Sequence, residues 1–156
     1  MTARIDYYTR APKAMQAMRA LELYVHDSSL EPALIELVKM RASQLNGCAY
    51  CLDMHSKDAR AEGETEQRLY GLPAWREAPY YSPRERAALE WTEAITEIGR
   101  SRAEDEVYDR VREHFSEDEL VTLTFAIVAI NGWNRLAVGF RTPAGTYQPR
   151  ASSAPK

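Results

Sequence analysis

Apolar residues recur with helical spacing along most of the chain. The first helical face follows Pro12 and consists of Met15, Met18, Leu21 and Val25. No stretch shows the alternation of apolar and polar residues that is typical of a strand. The pattern therefore predicts an all-α fold of six to seven helices, over residues 12–26, 30–45, 48–62, 64–70, 82–99, 103–115 and 116–140.

Polar signals mark the ends of several predicted helices. Ser82 and Glu85, and likewise Ser116 and Glu119, have the spacing of a capping box. The helix that begins at Ser82 is expected to bury Ala88, Trp91, Ile95 and Ile98, and the next one Val107, Tyr108, Val111 and Phe115. The apolar run 120–140 contains Asn, Thr and Arg residues, which favours a buried helix over a membrane span. Because such a helix is too apolar for a small domain to cover fully, it also predicts an oligomer interface.

Asn46-Gly47 is a turn signal that separates two predicted helices. In a helix that starts at Cys48, Cys51 lies one turn away and His55 a further turn along, so the three side chains share one face. A helix N-terminus lowers the pKa of a cysteine, which favours a reactive thiolate. Glu36 and His55 lie at similar distances from the turn, so we expect them to be neighbours if the two helices pack side by side. The alternative for Glu36 is an ordinary salt bridge to Lys39 or Arg41.

The arrangement of Glu36, Cys48, Cys51 and His55 resembles the core of the alkylhydroperoxidase AhpD-like family, within the carboxymuconolactone decarboxylase superfamily. The stretches 82–89 and 130–139 also look like that family's single-domain bacterial members, and the resemblance spans about residues 15–141. It implies an AhpD-like helical domain over residues 13–141, with an N-terminal arm at 1–12. The Pro-, Ser- and Ala-rich residues 142–156 are expected to form a flexible tail.

The resemblance implies a role for each of these four residues. Cys51 would be the thiol that peroxide oxidises to a sulfenic acid, Cys48 its proton donor and resolving partner, and Glu36 and His55 the proton relay. The family's alkylhydroperoxidases carry a histidine between the cysteines, where this chain has Tyr50. The decarboxylase branch lacks the cysteine pair, so lactone decarboxylation is not expected.

Composition and charge narrow the partners and the compartment. The net charge is −3 with both signs interspersed, which gives no reason to expect nucleic acid or a membrane as partner. The N-terminus has no apolar run typical of a signal peptide, so we expect a cytoplasmic protein. There a C-x-x-C pair is more typical of redox chemistry or metal binding than of a structural disulfide.

The sequence therefore predicts a thiol-dependent peroxidase with an antioxidant role. It would reduce hydrogen peroxide or organic hydroperoxides with electrons from an external dithiol, and would need no cofactor or metal. A dithiol–disulfide exchange protein is the first alternative, and Tyr50 favours it. A zinc module with Cys48, Cys51, His55 and Glu36 as ligands is a weaker one, since structural zinc sites rarely use this ligand set. By analogy with the family, we expect a trimer or a hexamer.

Overall fold

The structure is a computed structural model that describes residues 2–149. In this range it has nine α-helices, one 3₁₀ turn at Leu72–Ala74 and no strand, which confirms the predicted all-α class. The helices are α1 (Tyr7–Arg10), α2 (Pro12–His26), α3 (Pro32–Leu45), α4 (Ala49–Ala61), α5 (Glu66–Gly71), α6 (Pro83–Thr96), α7 (Ile98–Ser101), α8 (Asp105–Arg112) and α9 (Glu117–Phe140).

Each of the seven predicted helices has a counterpart, and two short helices are additional. Both α1 and α7 have four residues, too few for a periodic pattern to reveal them. The predicted helix 82–99 is divided, because Glu97 leaves helical geometry with ψ at 33° and α7 starts at Ile98. Both predicted capping boxes are present, at the starts of α6 and α9.

Helix α3 lies at the centre of the fold, where α4, α6 and α9 pack against it. Buried apolar side chains of α3, α6 and α9 form the main core, among them Val38, Ala88 and Ile127. Two residues predicted to be buried are not: Ile98 is 56% exposed and Tyr108 is 44% exposed. Ile98 falls outside the core because α6 ends before it, and Tyr108 lies against the edge of Trp91 near the surface, with ring centroids 6.2 Å apart.

Helix α9 has the length and composition of a membrane span, yet half of its most apolar window is buried by other parts of the protein. This burial is typical of the core helix of a globular domain. Its outward face carries the exposed residues Val121, Phe125 and Val128.

Described residues before α1 and after α9 lie against the helices. In the arm, the N–H of Arg4 donates to the carbonyl of Phe140 at 2.9 Å. Beyond α9, the N–H of Gly145 donates to Asp53 at 3.0 Å, and Lys57 donates to the carbonyl of Tyr147 at 2.9 Å. The rest of the predicted tail, 150–156, lies outside the described residues.

Candidate redox site

The turn between α3 and α4 positions the first cysteine. Gly47 has a φ of +64°, as an αL residue after a helix does. The N–H of Gly47 donates to the carbonyl of Gln44 at 3.2 Å, and the N–H of Cys48 donates to that of Ser43 at 3.0 Å. These two bonds form a Schellman motif, so the predicted turn is confirmed and Cys48 is fixed at the start of α4.

Cys48 and Cys51 form a disulfide, with their Cα atoms 5.4 Å apart. Cys48 is the N-cap residue of α4, and its sulfur accepts a hydrogen bond from the N–H of Cys51 at 3.3 Å. Both residues are only 1% exposed. The sulfur pair therefore lies at a helix N-terminus, shielded from bulk solvent.

Glu36 and His55 come together across the α3–α4 pair, as expected from their positions about the turn. The His55 Nδ1 and Glu36 Oε2 atoms are 2.9 Å apart, and the two side chains are 7% and 13% exposed. This bond occupies Nδ1 and leaves Nε2 for exchange of a proton with a ligand. The alternative partners of Glu36 are engaged elsewhere, since Lys39 pairs with Glu22 and Arg41 with Glu93, both at 2.7 Å.

A cavity of about 430 Å³ opens beside this pair. Of the two cysteines, Cys51 lines the cavity and Cys48 does not, within the described part of the chain. His55 and Glu36 are at the same wall, and four aromatic residues complete much of the rest: Tyr7, Tyr8, Tyr50 and Trp133. The four predicted site residues are thus close together, and Cys51 lies in the wall of a cavity that has both aromatic and charged lining residues.

Tyr50 lies in the cavity wall. It occupies the position at which the alkylhydroperoxidases that the sequence resembles carry a histidine. Burial raises its pKa above the usual value for a tyrosine, and nearby Tyr7 and Asp53 add to the effect. Its phenol is therefore protonated at neutral pH and can donate a hydrogen bond, but it cannot serve as a base there.

Asp58 is a second carboxylate in the cavity wall, and sequence reasoning missed it. Burial raises its pKa, although the hydroxyl of Tyr147, which donates to Oδ1 at 2.7 Å, opposes the rise. The residues after α9 thus reach the site through Tyr147. No local signal marks Asp58, because a charged residue on an amphipathic helix is normally solvated.

Sequence reasoning also missed Glu22 and Lys39, because charged residues on a helix are normally solvated. Lys39 is a buried cation whose ammonium lies 2.7 Å from Glu22 Oε2. The other oxygen of Glu22 accepts a hydrogen bond from Trp133 Nε1 at 2.9 Å. This chain of contacts joins α2, α3 and α9 at the cavity and holds the Trp133 ring in place.

Asparagine side chains fasten the turn to α9. Asn46 Nδ2 donates to Asn134 Oδ1 at 2.9 Å, and Asn134 Nδ2 donates to Ser43 Oγ at 3.1 Å. Asn134 is fully buried, so these bonds replace the water that its amide would otherwise need. They keep the start of α4, and with it the disulfide, in a fixed position.

The zinc alternative needs several donor side chains that converge on one point. Among residues 2–149, no three or more His, Cys, Asp or Glu side chains converge as a metal site would require.

The chain is similar to several proteins of related sequence and structure. The model of the carboxymuconolactone decarboxylase family matches residues 10–94. The uncharacterised protein YdfG of Bacillus subtilis (strain 168) is 49% identical over 146 residues, which cover 94% of this chain and 99% of the relative.

Solved structures show the same fold. A protein of unknown function from Agrobacterium tumefaciens, suggested to be the antioxidant defence protein AhpD, superposes with a TM-score of 0.90 at 46% identity, over 94% of this chain and 100% of the other. The debrominase Bmp8 superposes with a TM-score of 0.78 at 19% identity, over 88% of this chain and 74% of the other. At that identity the second likeness concerns the fold alone.

Proposed function

The chain belongs to the carboxymuconolactone decarboxylase family, with AhpD-like relatives, and from this premise we propose that it is a thiol peroxidase. The observation that carries the proposal is the position of Cys51. Cys51 lines the same cavity as the hydrogen-bonded His55 and Glu36, while its disulfide partner Cys48 is the N-cap residue of the same helix. Cys51 can thus contact a small substrate in the cavity, and Cys48 is close enough to form a disulfide with the oxidised Cys51.

The reaction begins from the reduced pair. The N-terminus of α4 favours the thiolate of Cys51, and His55, oriented by Glu36, accepts the thiol proton at Nε2. The thiolate attacks the distal oxygen of a hydroperoxide ROOH, so that an S–O bond forms as the O–O bond breaks. The leaving alkoxide takes a proton from the imidazolium of His55 and departs as the alcohol ROH. Cys51 is then a sulfenic acid.

The thiol of Cys48 next attacks the sulfenic sulfur. The S–S bond forms, and the hydroxyl leaves with the thiol proton as water. An external dithiol reduces this disulfide by exchange and is itself oxidised. Because both sulfurs are buried and Cys51 is reached through the cavity, the reductant must be a small or slender dithiol. The same burial makes broad exchange with folded protein disulfides a less suitable function for this site.

We also propose that the protein acts in the cytoplasm as a homo-oligomer. The support is the exposed apolar face of α9 formed by Val121, Phe125 and Val128, which is suited to contact with another copy of the chain. Light scattering of the purified protein tests the assembly.

A peroxide titration of the reduced protein tests the proposed function. Free thiols are counted and sulfenic acid is trapped in the wild type and in the Cys51→Ser and Cys48→Ser variants. We expect the wild type to lose both thiols, Cys48→Ser to accumulate a sulfenic acid, and Cys51→Ser to be inert. If peroxides leave the wild-type thiols reduced while small disulfides oxidise them readily, the peroxidase proposal is wrong and dithiol–disulfide exchange replaces it.

A further inference from the structure

The cavity beside Cys51 is far larger than hydrogen peroxide requires. Its volume of about 430 Å³ falls in the range of roughly 300–1,000 Å³ typical of sites for small organic molecules. Hydrogen peroxide, about the size of two water molecules, needs roughly 60 Å³. Most of the chamber is therefore available for the organic part of a substrate.

The walls of the chamber favour a flat apolar group. The Tyr8 ring stacks on Tyr7, with centroids 4.7 Å apart and planes 27° apart, and on Trp133, with centroids 6.4 Å apart and planes 20° apart. Trp133 is fixed by its hydrogen bond to Glu22, which in turn is paired with Lys39. These near-parallel rings form a preformed aromatic wall. Aromatic rings pair favourably in offset-stacked or edge-to-face geometry, so such a wall selects aromatic ligands over aliphatic ones of equal size.

The charges around the chamber disfavour an anionic substrate. Glu22, Glu36 and Asp58 contribute carboxylates, and Lys39 and Arg19 are the cations among the lining residues. Lys39 is paired with Glu22, and the guanidinium of Arg19 lies over the ring of Tyr8, 5.8 Å from its centroid. While His55 is neutral, the carboxylates outnumber the cations by three to two, so a substrate that carried its own carboxylate would meet repulsion in a partly desolvated site.

We propose that the substrate is a neutral arylalkyl hydroperoxide, in which the carbon that bears the peroxide group also carries an aromatic ring. It binds with its ring against Tyr8 and Trp133 and its peroxide group at Cys51 and His55. This inference rests on the proposed peroxidase function and specifies its substrate class. The chemistry is that of the general reaction: the distal oxygen goes to the Cys51 sulfur, the O–O bond breaks, and the aryl-substituted alcohol leaves with the proton. The electrons come from the cysteine pair, which the external dithiol restores.

The test compares cumene hydroperoxide, tert-butyl hydroperoxide and hydrogen peroxide in stopped-flow oxidation of the reduced, full-length protein. Each rate constant is divided by that of free cysteine with the same peroxide, which removes the intrinsic reactivity of the O–O bond. We expect the wild type to favour cumene hydroperoxide over hydrogen peroxide by at least about tenfold, and to favour it over the tert-butyl compound as well.

Three variants examine the aromatic wall. Tyr8→Leu removes the ring and should reduce the preference for cumene hydroperoxide by about threefold or more, because aromatic pairing contributes a factor of roughly 2 to 12. Tyr8→Phe keeps the ring and should keep the preference. Tyr70→Leu is the matched control, since Tyr70 lies on α5, is 74% exposed and is outside the cavity lining.

The outcomes separate this inference from the function on which it rests. If no peroxide oxidises the thiols, the peroxidase function and the aryl substrate are both wrong. If all three peroxides react in the same proportions as with free cysteine, the protein is a peroxidase but the aryl substrate class is overturned. A preference that Tyr8→Leu leaves intact also overturns the assignment, because the ring would then contribute nothing to recognition.

Discussion

The bond between Glu36 and His55 leads to a sharp prediction for the variant Glu36→Gln. The amide has nearly the same size and shape as the carboxylate, so the packing between α3 and α4 should be preserved. What changes is the charge on the acceptor of a buried hydrogen bond that is 2.9 Å long. We expect slower oxidation of the reduced cysteine pair by hydroperoxide, without loss of the fold.

The size of the effect follows from the strength of the bond. A hydrogen bond to a charged group contributes about 1.5–3 kcal/mol, and a neutral one about 0.5–1.5 kcal/mol. The difference of about 1–1.5 kcal/mol corresponds to roughly a tenfold loss of rate. The loss is larger if the amide of the new glutamine donates to Nδ1, because the proton of a neutral His55 then resides on Nε2, which can no longer act as a base.

Stopped-flow fluorescence provides the assay, since Trp133 lines the cavity beside Cys51. The second-order rate constant for oxidation is measured from pH 5 to 9 in the wild type and in Glu36→Gln. Glu31→Gln is the matched control, because Glu31 lies at the start of the same helix but is 54% exposed and pairs with Arg84 at the surface. Thermal unfolding of all three proteins shows whether the fold is intact.

A rate for Glu36→Gln within twofold of the wild type, with an unchanged pH profile, would refute the relay reasoning. An equal loss of rate in Glu31→Gln would also count against it, because a general effect of carboxylate removal would then explain the result.

Three further predictions concern stability and ionisation. Gly47→Ala should destabilise the protein by about 1–2 kcal/mol in urea denaturation, because alanine is strained at a φ of +64° even though the site has space for a Cβ. Gly139→Ala, also in open space but within α9 at an ordinary helical φ, should be neutral or stabilise by up to about 1 kcal/mol, and equal effects at both sites would contradict this account. Burial alone would raise the pKa of Glu93, but hydrogen bonds from Trp75, Arg76 and Arg41 outweigh burial and hold the pKa below the usual value. The ionised Glu93 therefore stabilises the fold fully above about pH 4.5, and this stabilisation is lost as the pH falls through the lowered pKa. Glu93→Gln should therefore lower the free energy of unfolding by about 2 kcal/mol at pH 7 and flatten the acid side of the stability profile, and an unchanged free energy of unfolding at pH 7 would contradict this account. Tyr147→Phe should raise the pKa of Asp58 further in an NMR titration, because it removes a donor that favours the ionised carboxylate; no change would mean that the tyrosine does not bond there in solution.

Local spacing along the chain predicts much of the candidate site. The turn at Gly47, the start of α4 and the one-turn interval between the cysteines depend on neighbours in the chain. The contact between Glu36 and His55 was also predictable, because a short turn makes two helices antiparallel and brings residues equidistant from it together. The division of the predicted helix 82–99 was less predictable. The nearest breaker, Gly99, lies two residues beyond the actual break at Glu97, and Ile98 was therefore assigned wrongly to the core.

Local sequence patterns were enough to predict the all-α class, the seven longer helices and the cysteine pair at the start of α4, since helical period, caps and turns act over only a few residues. The tertiary structure alone decided what surrounds that pair. Trp133 reaches Glu22 across 111 positions of sequence, and Tyr7 and Tyr8 reach the site only because the arm lies against the end of α9. Such contacts depend on how helices pack, which periodicity does not encode, so the aromatic cavity exists only in the folded chain.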